Sequence, residues 1–357
     1  MSIEHSVEIT GTTGITGITK TKKTTEKQVG LLVLSYGTPA NEEQIGTYLA
    51  HIRAGQIPSA EEIEELAARY RAIGGLSPLR EITCSQAKVL RERLAREMPG
   101  HSWRLYTGAK HSTPFIEEAV RQMSDDGIKE AVVITMAPYF SPFSAGEYLM
   151  RARSEARRQG IYLYEVKNWQ DQPGFSRFWA EELRNQLDRI QPAQPVRVIF
   201  TAHSLPEQVL ATEDPYPQLV QKTAAQIAAE AELESSSWTL AWQSAGSRGN
   251  WLTPSVDVAA RAWLEKLAKE LFPKGRPRPA IIYAPIGFVC DHLEILYDND
   301  VVCRALCEEL GATYYRTRMP NTNPAFIGAM AGAVQAVISS AGGWPDRAGY
   351  SGRKGFD

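Results

Sequence analysis

Val-Arg-Val-Ile-Phe-Thr-Ala at residues 196–202 runs straight into His-Ser-Leu-Pro at 203–206, and from Tyr216 to Ala231 apolar residues recur with a helical period. A short β-branched and aromatic run, a polar turn and an amphipathic helix make one strand–helix unit. The same grammar repeats along the chain. Further β-rich runs lie at Gly30–Ser35, Trp103–Gly108, Ala131–Ala137, Ile161–Val166, Trp238–Trp242, Ala280–Ala284 and Ala312–Tyr315. Helical periodicity marks Thr83–Met98, Pro114–Met123, Phe175–Leu187, Val256–Leu271 and Leu293–Leu310. Strands that alternate with helices predict parallel sheets. The runs divide into two sheets of four, with the best break at Lys167–Pro173, where Asn-Trp-Gln-Asp-Gln-Pro interrupts the pattern. The expected fold is α/β: two Rossmann-like, doubly wound domains, each a four-stranded parallel sheet flanked by helices, with a cleft between them.

The expected organisation has a disordered extension over 1–27, a first domain over 28–166 and a second over 167–315. A C-terminal helix over 316–341 is expected to pack back on the first domain, followed by a loose tail over 342–357. The first residues lack the apolar core of roughly 7 to 15 residues that a signal peptide needs. With 357 residues, 43% hydrophobic and 22% charged, the chain can bury two cores. Thirty-nine Lys and Arg against 41 Asp and Glu leave a net charge of −2, which argues against a basic nucleic-acid-binding face. No apolar run approaches the roughly 18 residues that cross a bilayer, so no stable membrane insertion is expected. The four cysteines, Cys84, Cys290, Cys303 and Cys307, form no Cys-x-x-Cys pair. They predict the reduced thiols of a cytoplasmic protein. A monomer is expected.

In doubly wound sheets ligands bind beyond the carboxyl ends of the strands. That rule favours the loops beginning at Tyr36, Gly108, Pro138, Ala202–His203, Gln243 and Pro285. No Gly-x-Gly-x-x-Gly follows the first strand and no phosphate-binding loop occurs, so no nucleotide is expected. His203 stands at a strand end, where an imidazole can bind a metal or move a proton, or simply be tied to backbone. Glu294 follows Cys290-Asp291-His292-Leu293 between a strand and a helix. It either enters the cleft or completes a capping box with Asp291. An imidazole and a carboxylate suit a divalent ion of borderline softness such as Fe²⁺, and two protein ligands suit a transferred ion better than a structural one. Tyr36 could ligate a metal as a phenolate or hydrogen-bond locally. Arg53, Arg69 and Arg71 are a solvated helix face or a carboxylate clamp.

These stretches together resemble one family, the ferrochelatases, and within it the coproporphyrin ferrochelatases of Gram-positive bacteria. The resemblance is carried by residues 30–39, Arg69 to Pro78, Thr201 to Pro206, Trp242 to Gly246 and Gly287 to Asp298, and extends over about Gly30 to Ser340. It implies a chelatase that inserts Fe²⁺, as substrate, into coproporphyrin III to give coproheme in heme biosynthesis. His203 and Glu294 match the metal- and proton-handling pair, and Tyr36 the position that can ligate the iron of the product. Arg53, Arg69, Tyr70, Ser77 and Tyr148 match positions that contact the macrocycle or its propionates. The chain departs from relatives at Ala54, where some have a second arginine, and at Ser255, where an acidic residue is usual. It departs again at Val302, where some carry a third carboxylate after Glu294 and Asp298. No cysteine follows Cys307, so the iron–sulfur cluster of some relatives is not expected. The competing readings are a protoporphyrin IX ferrochelatase, a cobalt or nickel chelatase, and a non-catalytic porphyrin carrier.

Overall fold

The computed structural model describes residues 27–246, 249–271 and 277–342. Apart from Lys27 and Gly342, the expected extension and tail lie outside the described residues. Strands β1 (Lys27–Ser35), β2 (His101–Ala109), β3 (Glu130–Thr135) and β4 (Tyr162–Val166) form one sheet in the order β2-β1-β3-β4. Strands β5 (Val196–His203), β6 (Trp238–Gln243), β7 (Ala280–Ala284) and β8 (Thr313–Arg316) form the second in the matching order β6-β5-β7-β8. Every pairing is parallel. This is the expected pair of doubly wound sheets. Val29 and Leu31 to Leu34 of β1 are all fully buried, because helices cover both faces of a parallel sheet.

The helices are α1 (Ile45–Ile52), α2 (Ala60–Ala72), α3 (Leu79–Glu97), α4 (Ile116–Asp125), α5 (Ala145–Gln159), α6 (Pro173–Leu187), α7 (Tyr216–Glu230), α8 (Val256–Leu271), α9 (Arg304–Glu309) and α10 (Pro324–Ser340). Asn323 caps α10 by accepting from the backbone N–H groups of Ala325 and Phe326, and Pro324 occupies the first turn. From there α10 runs back over α3, α6 and β4. Phe326 packs against Trp169, Phe175 and Phe178 with ring centroids 5.2–5.7 Å apart. One core joins the two sheets: it contains Leu31 and Val132 from the first, Phe200 and Ile282 from the second, and Met330 and Val334 from α10. Among the described residues no helix is long and apolar enough to cross a membrane.

One expectation fails in detail. Leu293–Leu310 is not a single α-helix. Residues Glu294–Cys303 form a π-helix that only then tightens into α9. The Arg304 N–H donates to the Asn299 carbonyl, five residues back. A run this long is uncommon for a helix of poor intrinsic stability, and side-chain anchors hold it. Asp300 accepts two hydrogen bonds from Arg316, at 2.9 and 2.8 Å, and one from the Tyr314 hydroxyl at 2.8 Å.

The topology reverses between β1 and β3 in one sheet and between β5 and β7 in the other, and these are the switch points at which such sheets bind ligands. Gly287 sets the second. Its N–H donates to the Thr201 carbonyl at 3.0 Å. A Cβ at Gly287 would stand 2.5 Å from the Ala202 Cβ and 2.6 Å from its Cα. The atoms it would meet belong to Ala202 and to the His203 backbone nitrogen, so no flexible side chain can move aside. Gly287→Ala is expected to destabilise the fold by ~1–3 kcal/mol, the usual effect of overpacking. The urea midpoint measures this, and an unchanged midpoint would show slack that the geometry does not contain.

Candidate functional site

His203 is the last residue of β5, and Glu294 is the first of the π-helix beyond β7. The strand and the helix bring His203 Nε2 to 3.5 Å from Glu294 Oε1. His292 Nε2 stands 3.6 Å from Glu294 Oε2. Both imidazoles commit Nδ1 to a backbone carbonyl, His203 to Ser204 at 2.6 Å and His292 to Cys290 at 2.9 Å. Each ring therefore turns Nε2 toward the carboxylate, and its orientation is fixed from behind. The capping-box alternative does not form. Asp291 is held by Asn321, which donates from Nδ2 at 2.8 Å and accepts from the Asp291 N–H at 2.9 Å. Glu294 is left to the histidines.

Buried polar groups support the pair. The Tyr216 hydroxyl donates to the His203 carbonyl at 2.9 Å. Thr201 donates to the Gln243 side-chain oxygen at 2.6 Å, and the amide of Gln243 reaches the Glu294 carbonyl at 3.4 Å. Burial disfavours the imidazolium of His203, but the Glu294 charge and hydrogen bond prevail and lift its pKa to about 9. Burial likewise disfavours the Glu294 carboxylate, and the two histidines overcome it and hold the carboxyl well below its usual range. The resting pair is an imidazolium and a carboxylate. Once deprotonated, His203 offers the Nε2 lone pair and Glu294 its oxygens, one donor of each type.

The charge of Glu294 is felt by three phenols. Tyr36 follows β1 directly and is 41% exposed as a residue, yet desolvation around its hydroxyl, followed by the charge of Glu294, raises that hydroxyl well above the usual range. Tyr70 and Tyr148 are pushed up in the same way, burial first and Glu294 among the charges acting on them. The Tyr70 hydroxyl lies 3.2 Å from Thr38 Oγ1, and the Lys110 ammonium sits over the Tyr148 ring at 5.6 Å. Ser77 is buried, and its hydroxyl accepts from the Leu293 N–H at 3.2 Å, directly before Glu294.

The arginines are placed differently. Arg69 donates to Asp298 at 3.0 Å and lies over the Tyr297 ring at 4.8 Å, so it meets the π-helix. Asp298 is also held by the Ser244 hydroxyl. Burial raises the Asp298 carboxyl despite both partners. Arg53, at the end of α1, is paired with Glu62 in the first turn of α2 and stands apart from the pair. Arg71 meets Glu64 on an exposed face. The sequence brought Gln243 forward as the start of a favoured loop and Asp298 as a carboxylate following Glu294, but gave neither a partner, and it did not single out His292 or Tyr216 as parts of the site. His292 lies within the Gly287–Asp298 stretch, but Tyr216 acts through a backbone carbonyl and leaves no motif.

The sequence profile described as Ferrochelatase matches residues 28–337. The chain belongs to the ferrochelatase family. A relative named coproporphyrin III ferrochelatase from Geobacillus kaustophilus is 47% identical over 313 residues, 87% of this chain and 96% of that protein. Proteins of the same name from Oceanobacillus iheyensis and Staphylococcus epidermidis are each 42% identical, covering 88% and 87% of this chain and 98% and 99% of their own. Among solved structures, SirB from Bacillus subtilis with Fe³⁺ superposes with a TM-score of 0.50 at 11% identity, over 88% of this chain and 97% of that one. That likeness is one of fold. Ferrochelatases take ferrous iron as a substrate metal and a porphyrin as its acceptor.

Proposed function

We propose that this ferrochelatase inserts Fe²⁺ into coproporphyrin III and releases coproheme, as a cytoplasmic monomer in heme biosynthesis, with the macrocycle held between lobes 28–166 and 167–315. The His203–Glu294 pair carries the reading. Insertion requires that water leave the ion and that two pyrrole protons leave the ring. The pair provides a coordinating nitrogen and a proton-accepting carboxylate side by side. Tyr36, Tyr70 and Tyr148 provide an aromatic wall that is uncharged before iron enters, Tyr36 giving up its proton only when it ligates the product iron. In this reading Tyr36 ligates the iron of the product, while Tyr70, Ser77, Tyr148, Arg53 and Arg69 meet the ring or its propionates. Bending the ring to expose its nitrogens draws on binding energy elsewhere on the macrocycle. A porphyrin carrier would need the wall but not the pair.

Neither an iron–sulfur cluster nor a nucleotide enters the reaction. A cluster needs several cysteine thiolates, and no cysteine follows Cys307 to supply them.

Coproporphyrin is favoured over protoporphyrin because it has four carboxylates rather than two, and the named relatives support that choice. Arg53 and Arg69 are each 37% exposed and already paired with Glu62 and Asp298. Each further propionate therefore gains on the order of 0.7 kcal/mol, as exposed pairs do. Two of them give coproporphyrin about a tenfold advantage. Side-by-side turnover at matched ionic strength, without detergent, tests this. Arg69→Ala is expected to reduce the advantage and flatten its dependence on salt. Equal efficiency with the two porphyrins would refute the substrate assignment and leave the chelatase in place.

A further inference from the structure

We propose that His51 is a positioning residue for Tyr36, acting through His111. The inference rests on the reading of Tyr36 as ligand to the product iron. Tyr36 lies just beyond β1, where a bare loop side chain could swing. The backbone is held first: His111 N–H donates to the Tyr36 carbonyl at 3.0 Å, and Tyr48 hydroxyl donates to the Gly37 carbonyl at 3.0 Å. Gly37 has φ +96°, and a Cβ there would stand 2.5 Å from Ser112 Oγ. The Tyr36 ring is held separately. It packs on the His111 ring with centroids 4.7 Å apart.

His111 is 8% exposed, so its orientation depends on what its nitrogens meet. Nδ1 meets Nδ1 of His51 at 2.9 Å. Such a contact holds one proton: one ring gives its N–H and the other its lone pair. The bond thus couples the two tautomers, one ring donating while the other accepts, and ties the orientation of the His111 ring to that of His51. His51, in the last turn of α1, is itself fixed by stacking on Phe115, with centroids 4.9 Å apart and planes 18° from parallel. The chain of contacts runs Phe115, His51, His111, Tyr36. A hydrophobic residue at position 111 could fill the same space. Only a polar one lets α1 set the angle of the ring against which Tyr36 rests. His51 is exposed, so replacing it leaves no cavity in the core.

The full-length protein is titrated with ferric coproheme and, separately, with metal-free coproporphyrin III. The visible and electron paramagnetic resonance spectra of the ferric complex report the phenolate ligand. His51→Leu is expected to weaken coproheme binding about threefold to tenfold, the range of one neutral hydrogen bond. It should also alter the ferric spectrum and leave coproporphyrin affinity unchanged. His51→Asn places an amide near the position of Nδ1 and is expected to restore both affinity and spectrum. Wild-type coproheme affinity and spectrum in His51→Leu would overturn the proposal, as would an Asn variant no better than Leu. Tyr36→Phe separates the two readings. If it changes neither spectrum nor coproheme affinity, the ligand assignment falls and the positioning role with it. If it changes both while His51→Leu changes neither, only the positioning role falls.

Discussion

His203→Ala is expected to lower metal insertion by about 10²- to 10⁴-fold, the usual contribution of a positioned acid or base, while coproporphyrin still binds. The imidazole stands in an open cleft with 38% of its side chain exposed, so its removal excavates no core. The Tyr216 hydrogen bond goes to the His203 carbonyl and survives the substitution. The measurement is the anaerobic loss of porphyrin fluorescence on adding Fe²⁺, alongside a fluorescence-quenching titration for porphyrin binding. Turnover close to wild type in a well-folded variant would remove His203 from the reaction. Loss of both turnover and porphyrin binding would point to a collapsed cleft.

Glu294→Gln is expected to abolish turnover to a similar degree, and it also changes how the protein responds to pH. Burial opposes the His203 charge, and the Glu294 carboxylate is the largest influence lifting it to about 9; without that carboxylate only the Ser204 hydrogen bond and the Asp298 charge still oppose burial, so the imidazole titrates well below about 9. In the proposed reaction Fe²⁺ needs a free Nε2 on His203. In the wild type, metal uptake therefore competes with a proton and strengthens as pH rises toward about 9. In the variant that pH dependence moves to lower pH even though insertion is lost. Stability follows the same linkage. The raised His203 contributes fully below 6.5 and loses its contribution as pH rises through about 9. The depressed Glu294 contributes above its ordinary 4.5 and loses its contribution as pH falls toward its folded value. The gap in urea midpoint between wild type and variant should thus be wider near pH 5.5, between those two ordinary values, than above about 9. An equal gap at both would show that the pair is not electrostatically linked.

The strands were legible because a parallel strand covered on both faces must be apolar along its covered stretch, as Val29 to Leu34 of β1 and all of β7 are. The strand-end rule then brought His203, Gln243 and the loop after β7 forward before any motif was read. The π-helix was not legible. Glu-Ile-Leu-Tyr-Asp-Asn-Asp has the composition of an ordinary amphipathic helix, and its wider turn is imposed by Arg316, Tyr314, Arg69 and Ser244 from elsewhere. The arginines fall between these cases. Their place on helices could be read, but Arg69 meets Asp298 across 229 residues of sequence, and no local pattern announces that partner. For the same reason the site's supporting hydrogen bonds from Tyr216 and Gln243 came only with tertiary structure.

The path of α10 bears on how the chain is made. The ribosome releases β1 to β4 long before residue 324, yet α3 and α6 receive their covering helix only from Pro324–Ser340. Until then the aromatic face of Trp169, Phe175 and Phe178 lacks Phe326. The nascent chain consequently carries an unfinished apolar surface from the synthesis of Phe178 until that of Phe326, a stage at which intermediates are prone to aggregate or to engage chaperones. A message that ends early would release both sheets without their last cover, so quality control would meet an incomplete chain as a sticky one. The closing helix thereby makes translation through Ser340 a condition for a finished core.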